Sequence, residues 1–385
     1  MTWPEWTDLR APFPWFGGKR RVADTVWAAM GAVDNYCEPF AGSLAVLLAR
    51  RDDRWMTGAE TVNDADSYLS NFWRALAADP DAVAQYADWP VNETDLLARH
   101  LWLVNEGKKR IERMEADPEF YDAKVAGWWV WGINSWIGSG WCAGNGPWQI
   151  VDGVVCKPGN AGRGVNRQLP HLGNAGRGVN RQLPHLGDAG RGVNRKRPHL
   201  GQQFSVGVGS NKFGGDVLTA YFRALAARLR RVRVCCGDWS RVVTDGALAY
   251  GDTVGVFLDP PYQGEVRAKD LYRVDDHSIS NAVREWAIEH GQNPRYRIVL
   301  AGYAAEHEAQ MPATWRVHAY SANACYQTAN ADGANAANRH NERLWFSPGC
   351  LDGEAFMPLF DKPKARQLEL APVECDGGKK RKEKI

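Results

Sequence analysis

Residues 254–264, VGVFLDPPYQG, run five mostly apolar residues into Asp259, Pro260, Pro261 and Tyr262. Proline fixes its own φ and restricts the residue before it, so Asp259 and the backbone carbonyl of Pro260 make a rigid pair of acceptors where a strand stops. Two acceptors suit the two hydrogens of one primary amine. The exocyclic amine of a base such as adenine is a poor nucleophile, because its lone pair is delocalised into the ring. Accepting both N–H hydrogens pulls the nitrogen towards tetrahedral geometry and localises that pair, while Tyr262 supplies a ring to stack on the base. The clamp works on any exocyclic amine.

Two further constellations follow strand-like segments, where open α/β sheets bind ligands beyond the carboxyl ends of their strands. Residues 35–40 lead into Pro39-Phe40-Ala41-Gly42-Ser43, and Asp64 stands about twenty residues on, in VNDAD. A glycine turn with such an acid holds a nucleoside, the acid taking the ribose hydroxyls; the plainer reading is a strand-to-helix turn at Gly42 and a helix cap at Asp64. Residues 232–236 lead into Gly237-Asp238-Trp239. That pair suits bonding an adenine amine and covering its ring, or is a turn with a buried tryptophan.

The elements that must position these groups alternate. Strands are predicted at 35–40, 232–236, 253–259, 297–303, 315–320 and 343–347. Val22, Val26 and Met30 mark one amphipathic helix, and Leu69, Phe72, Trp73 and Leu76 a second. Val217, Leu218, Tyr221, Phe222, Leu225 and Leu229 mark a third behind Asp216 as its N-cap. Strands alternating with helices predict a mainly parallel sheet covered on both faces. Residues 80–145 break the rhythm; they read as helical and Trp-rich and end in the loop WGINSWIGSGWCAGNG, a separate lobe. The expected division is 1–79 catalytic, 80–235 inserted lobe, 236–360 catalytic and 361–385 a basic tail.

At 385 residues the chain is long enough for an α/β core plus a smaller unit. Its net charge is only +2, so a nucleic-acid partner must be met by a local basic patch. Residues 160–173, NAGRGVNRQLPHLG, recur at 174–187 and, altered, at 188–201. They carry Arg163, Arg167, Arg177, Arg181, Arg191 and Arg195, which either track DNA phosphates or belong to a solvated duplicated loop. His171, His185 and His199 recur with the period and lack a second ligand nearby, which argues against a metal. KKRKEK in the tail reads as a solvated terminus. The eight cysteines form no CxxC pair and read as reduced thiols. No apolar run is long enough to span a bilayer, and a cytoplasmic location is expected.

Over most of residues 10–350 the chain resembles the Dam-type adenine DNA methyltransferases, in the group whose cofactor motifs precede the target-recognition region and whose catalytic motif follows it. The family's Trp-x-Gly-Gly-Lys element appears as Trp15-Phe16-Gly17-Gly18-Lys19. Its Glu-Pro-Phe-x-Gly loop appears as Glu38-Pro39-Phe40-Ala41-Gly42, its Asn-Asp pair as Asn63-Asp64, its acid and aromatic as Asp238-Trp239, and its tetrad as Asp259 to Tyr262. A second glycine usually follows the loop where this chain has Leu44.

The resemblance implies a Rossmann-like class I methyltransferase fold, a seven-stranded, mostly parallel sheet with helices on both faces and an inserted, mainly helical recognition lobe. It implies cofactor contacts from these elements and Ser43, with S-adenosylmethionine as methyl donor, no metal, and duplex DNA as partner to a monomer or weak dimer. The methyl group would pass directly to the N6 amine of an adenine flipped out of the duplex, the catalytic set being Asp259, Pro260, Pro261 and Tyr262. In the lobe, Asn134 and Ser135 would contact base edges while the neighbouring tryptophans form a small core. Methylation of cytosine N4 or of a protein amide, and a non-catalytic DNA-binding protein, are the rivals; the Asp at 259 favours adenine.

Overall fold

The computed structural model describes residues 9–15, 18–136, 141–142, 149–151, 154–156, 214–261, 279–320 and 342–352. Gly17, Tyr262, the repeats with their arginines and histidines, and the basic tail lie outside the described residues.

The described elements are, in chain order, α1 (Ala23–Met30), β1 (Asn35–Glu38), β2 (Ala59–Asp64), α2 (Ser67–Ala78), α3 (Pro80–Ala87), α4 (Glu93–Trp102), α5 (Lys108–Ile111) and α6 (Ala123–Ser135). A short hairpin, β3 (Gln149–Val151) and β4 (Val154–Cys156), comes next. Then follow α7 (Gly214–Leu229), β5 (Val232–Cys236), β6 (Val254–Leu258), α8 (Ile279–His290), β7 (Tyr296–Tyr303), α9 (Ala304–His307), β8 (Arg316–Tyr320) and β9 (Glu342–Phe346).

Seven strands form one sheet in the order β5-β2-β1-β6-β7-β9-β8. From β5 to β7 every pairing is parallel, and only β9 runs against its neighbours. This is the expected Rossmann-like arrangement. β6 sits at its centre with all five residues buried. Its side chains alternate between two cores. Phe257 joins the cluster under α1, α2, α3, α6 and α7, while Val254, Val256 and Leu258 join the one under α8. Each such buried side chain contributes roughly 1.5–3 kcal/mol. Among the described residues no helix is long and apolar enough to cross a membrane.

The described elements differ from the sequence reading at four points. A strand at 59–64 escapes the apolar pattern because Glu60, Thr61 and Asn63 are buried in it, each position held by pairing rather than hydrophobicity. Strand 232–236 was assigned to the lobe, yet β5 pairs with β2 from Glu60↔Val232 to Asp64↔Cys236, so the sheet resumes there. Likewise Val83, Ala87, Leu103, Val125, Trp129 and Val130 share one buried cluster with Val62 and Phe257, so the helices of 80–136 pack onto the body of the sheet. At α7 the helix begins at Gly214, which places Asp216 inside its first turn rather than at the N-cap.

Candidate active site

The carboxyl ends of β1, β2 and β6 open into one cleft of about 820 Å³, counting its mouth. Of the residues expected to act there, Trp15, Gly18, Lys19, Glu38, Phe40, Gly42, Ser43 and Asp64 line it, and so do Asp259 and Pro261. Pro39, Asn63, Asp238, Trp239 and Pro260 are not among its lining residues. Sequence reasoning missed Asp66, Phe257 and Ile279, which also face it.

The turn after β1 is built by backbone bonds and one carboxylate. Ala41 N–H donates to Asn63 O at 2.8 Å, and Gly42 N–H donates to Asp64 Oδ2 at 3.0 Å. The other Asp64 oxygen accepts from Asp66 N–H at 2.8 Å. Asp64 therefore braces the glycine turn, and the cap of α2 is Asp66, which accepts from the amides of Tyr68 and Leu69. Gly42 has φ +47°, and a Cβ there would meet Trp15 Nε1 at 2.7 Å; only glycine lets the indole lie this close. Trp73 Nε1–H donates to Gly42 O at 3.1 Å from below. Leu44, where a second glycine was expected, takes φ +53° and is wholly buried. The backbone thus keeps a left-handed residue despite a strain of roughly 1–2 kcal/mol, with the leucine side chain packed in the core.

Asn63 works behind the cleft. Its amide donates to Pro39 O at 3.1 Å and to Gly237 O at 3.0 Å, tying the turns after β1 and β5 together. Asp238 is exposed and heads the turn 239–242, with Oδ1 accepting from Ser240 N–H at 2.9 Å. Trp239 stacks on Phe40 with centroids 6.1 Å apart and planes 29° apart, so the second pair reaches the cleft through Phe40.

Charge is concentrated at the mouth. Among the described lining residues Lys19 is the one cation, against Glu38, Asp64, Asp66 and Asp259. Its Nζ lies 2.9 Å from Asp259 Oδ2. Glu38, 2% exposed, accepts from the Tyr36 hydroxyl at 3.1 Å. Burial pushes its carboxyl up to about 8, with the charges of Asp259 and Glu60 adding to the rise and the Tyr36 and Leu47 hydrogen bonds opposing it.

Residues 15–112 match the family model described as D12 class N6 adenine-specific DNA methyltransferase. Over that segment the chain is similar to the D12-class adenine methyltransferases. The match supports N6 methylation of adenine in DNA as the activity. A comparison with curated proteins gave no match. The D12 segment contributes Trp15, Lys19, Glu38, Gly42 and Asp64 to the cleft, and Asp259 enters it from far beyond the matched residues.

Asn134 and Ser135, expected at base edges, are turned inward in this arrangement. Both are buried on α6; Asn134 Nδ2 donates to Pro12 O and Val130 O, and Ser135 Oγ donates to Trp131 O. Around them Trp136 stacks on His100 at 4.8 Å and meets Trp141 at 5.2 Å, the small aromatic core that was the plainer reading of the loop.

Proposed function

We propose that the cleft binds S-adenosylmethionine and that Asp259, with the carbonyl of Pro260, accepts the hydrogens of the N6 amine of an adenine turned out of duplex DNA, in a site-specific methylation. The observation that carries this reading is the convergence of Asp259 with the residues of the D12 segment on one cleft. The lining fits the cofactor: four carboxyl groups suit its cationic centres, and the side-chain-free Gly42 leaves backbone at the surface under Trp15.

S-adenosylmethionine supplies an electrophilic methyl group on a sulfonium. Asp64 and Asp66, which line the cleft, would face the cofactor with their carboxyl groups, and Trp15 would cover it at the glycine turn. Asp259 and Pro260 O would accept the two amine hydrogens and localise the lone pair, making the nitrogen a nucleophile for that methyl group, and the amine would then shed one proton. Tyr262, next after Pro261, is assigned the stacking face for the base, and Asp238 and Trp239 the adenine end of the cofactor.

The test is incubation with labelled S-adenosylmethionine and mixed-sequence duplex DNA, followed by digestion to nucleosides. The label should appear in N6-methyl-2′-deoxyadenosine and fall by about 10²-fold or more with Asp259→Ala, whose cofactor binding persists. Undiminished label in that variant would remove Asp259 from the mechanism.

A further inference from the structure

We infer that Lys19 is the positioning residue for Asp259, holding its carboxylate fixed in plane so that it accepts from the adenine amine. This rests on the reading of Asp259 as amine acceptor given above. By resemblance Lys19 belongs to the cofactor; the geometry gives it a partner on the amine side. Nζ and Oδ2 stand 2.9 Å apart, with the lysine side chain 5% exposed and the aspartate 21%. An ammonium buried this far requires a counter-charge, and Asp259 provides it while keeping one side towards the cleft.

The rest of the lining explains why the carboxylate needs the ammonium. Glu38, Asp64 and Asp66 share the cleft with Asp259. Like charges this close repel, and the Glu38 carboxyl already feels the charge of Asp259. A charge-assisted contact on Oδ2 offsets that repulsion and fixes the carboxylate plane. Lys19 is itself held at its backbone: its carbonyl accepts from Val22 N–H at 3.1 Å, in a turn that leads into α1, whose Val26 and Met30 are wholly buried.

The experiment measures cofactor Kd, KM and kcat on duplex DNA for Lys19→Met, Lys19→Arg, Asp259→Asn and the double variant Lys19→Met/Asp259→Asn. Lys19→Met should lower kcat by about 10²-fold with cofactor Kd changed by less than about threefold, and Lys19→Arg should recover at least about a tenth of the wild-type kcat. If Lys19 acts through Asp259, the double variant will be no slower than Asp259→Asn alone. A Lys19→Met enzyme whose cofactor Kd rises about 10²-fold at unchanged kcat overturns the inference and returns Lys19 to the cofactor. So does a further large loss in the double variant. Should Lys19→Met not fold, an Arg variant with weakened cofactor binding and full kcat overturns it equally, whereas an Asp259→Asn enzyme of full activity defeats the amine-acceptor reading itself.

Discussion

Glu60 and Glu38 lie on neighbouring strands and are each 2% exposed, yet they have opposite surroundings. Glu60, near the start of β2, receives Arg228 at 2.6 and 2.9 Å and Arg50 at 3.1 Å, each arginine also bound to a backbone carbonyl. Glu38, the last residue of β1, receives the Tyr36 hydroxyl, and its charge is opposed by burial. One end of these strands thus holds a neutralised staple joining α7 to the sheet, and the other a carboxyl held near neutrality at the cleft. The difference teaches where the molecule tolerates an uncompensated group: at the end that opens into the cleft.

The comparison is broken most severely at the staple. Glu60→Gln leaves the buried Arg228 without its carboxylate and should destabilise the fold by about 3–5 kcal/mol in urea titration. A loss under about 1 kcal/mol would put both carboxylates in the same class. Next comes Glu38. Its folded value of about 8 exceeds its ordinary 4.5, so between those pH values the unfolded chain has released a proton that the folded chain keeps. Stability should therefore fall as pH rises through that window, by up to about 1.4 kcal/mol per pH unit, and level off above it. In Glu38→Gln that slope should vanish; an unchanged slope would locate the proton elsewhere. The smallest effect sharpens the contrast from outside. Arg223 meets Asp81 through two contacts of 2.7 Å, closer than two of the three at Glu60, but the side chains are 63% and 53% exposed. Arg223→Ala should leave the thermal melt unchanged within scatter, showing that burial rather than contact geometry makes the staple.

Much of this was legible in the sequence wherever pattern and position coincide. β6 is an apolar run closed by Pro-Pro, and the glycine turn and Asp259 follow strands at the rim where ligands bind. β2 was not legible, because its buried Glu60 and Asn63 owe their place to Arg228, Pro39 and Gly237, partners that local periodicity does not encode. Asp66 rather than Asp64 caps α2, a choice between two acids two residues apart that backbone geometry decides. Asn134 and Ser135 looked like loop polars, but the helix extends to Ser135 and turns both inward. The Lys19–Asp259 pair joins motifs from opposite ends of the catalytic sequence, so only the packing of α1 and β6 around β1 brings it into view.

The site of the insertion has a consequence for descent. β4 ends at Cys156 and α7 begins at Gly214, so every copy of the fourteen-residue repeat falls within one connection. A duplication or deletion in the gene there changes the length of chain between those two elements and leaves the sequence of every described strand, and of every described residue lining the cleft, intact.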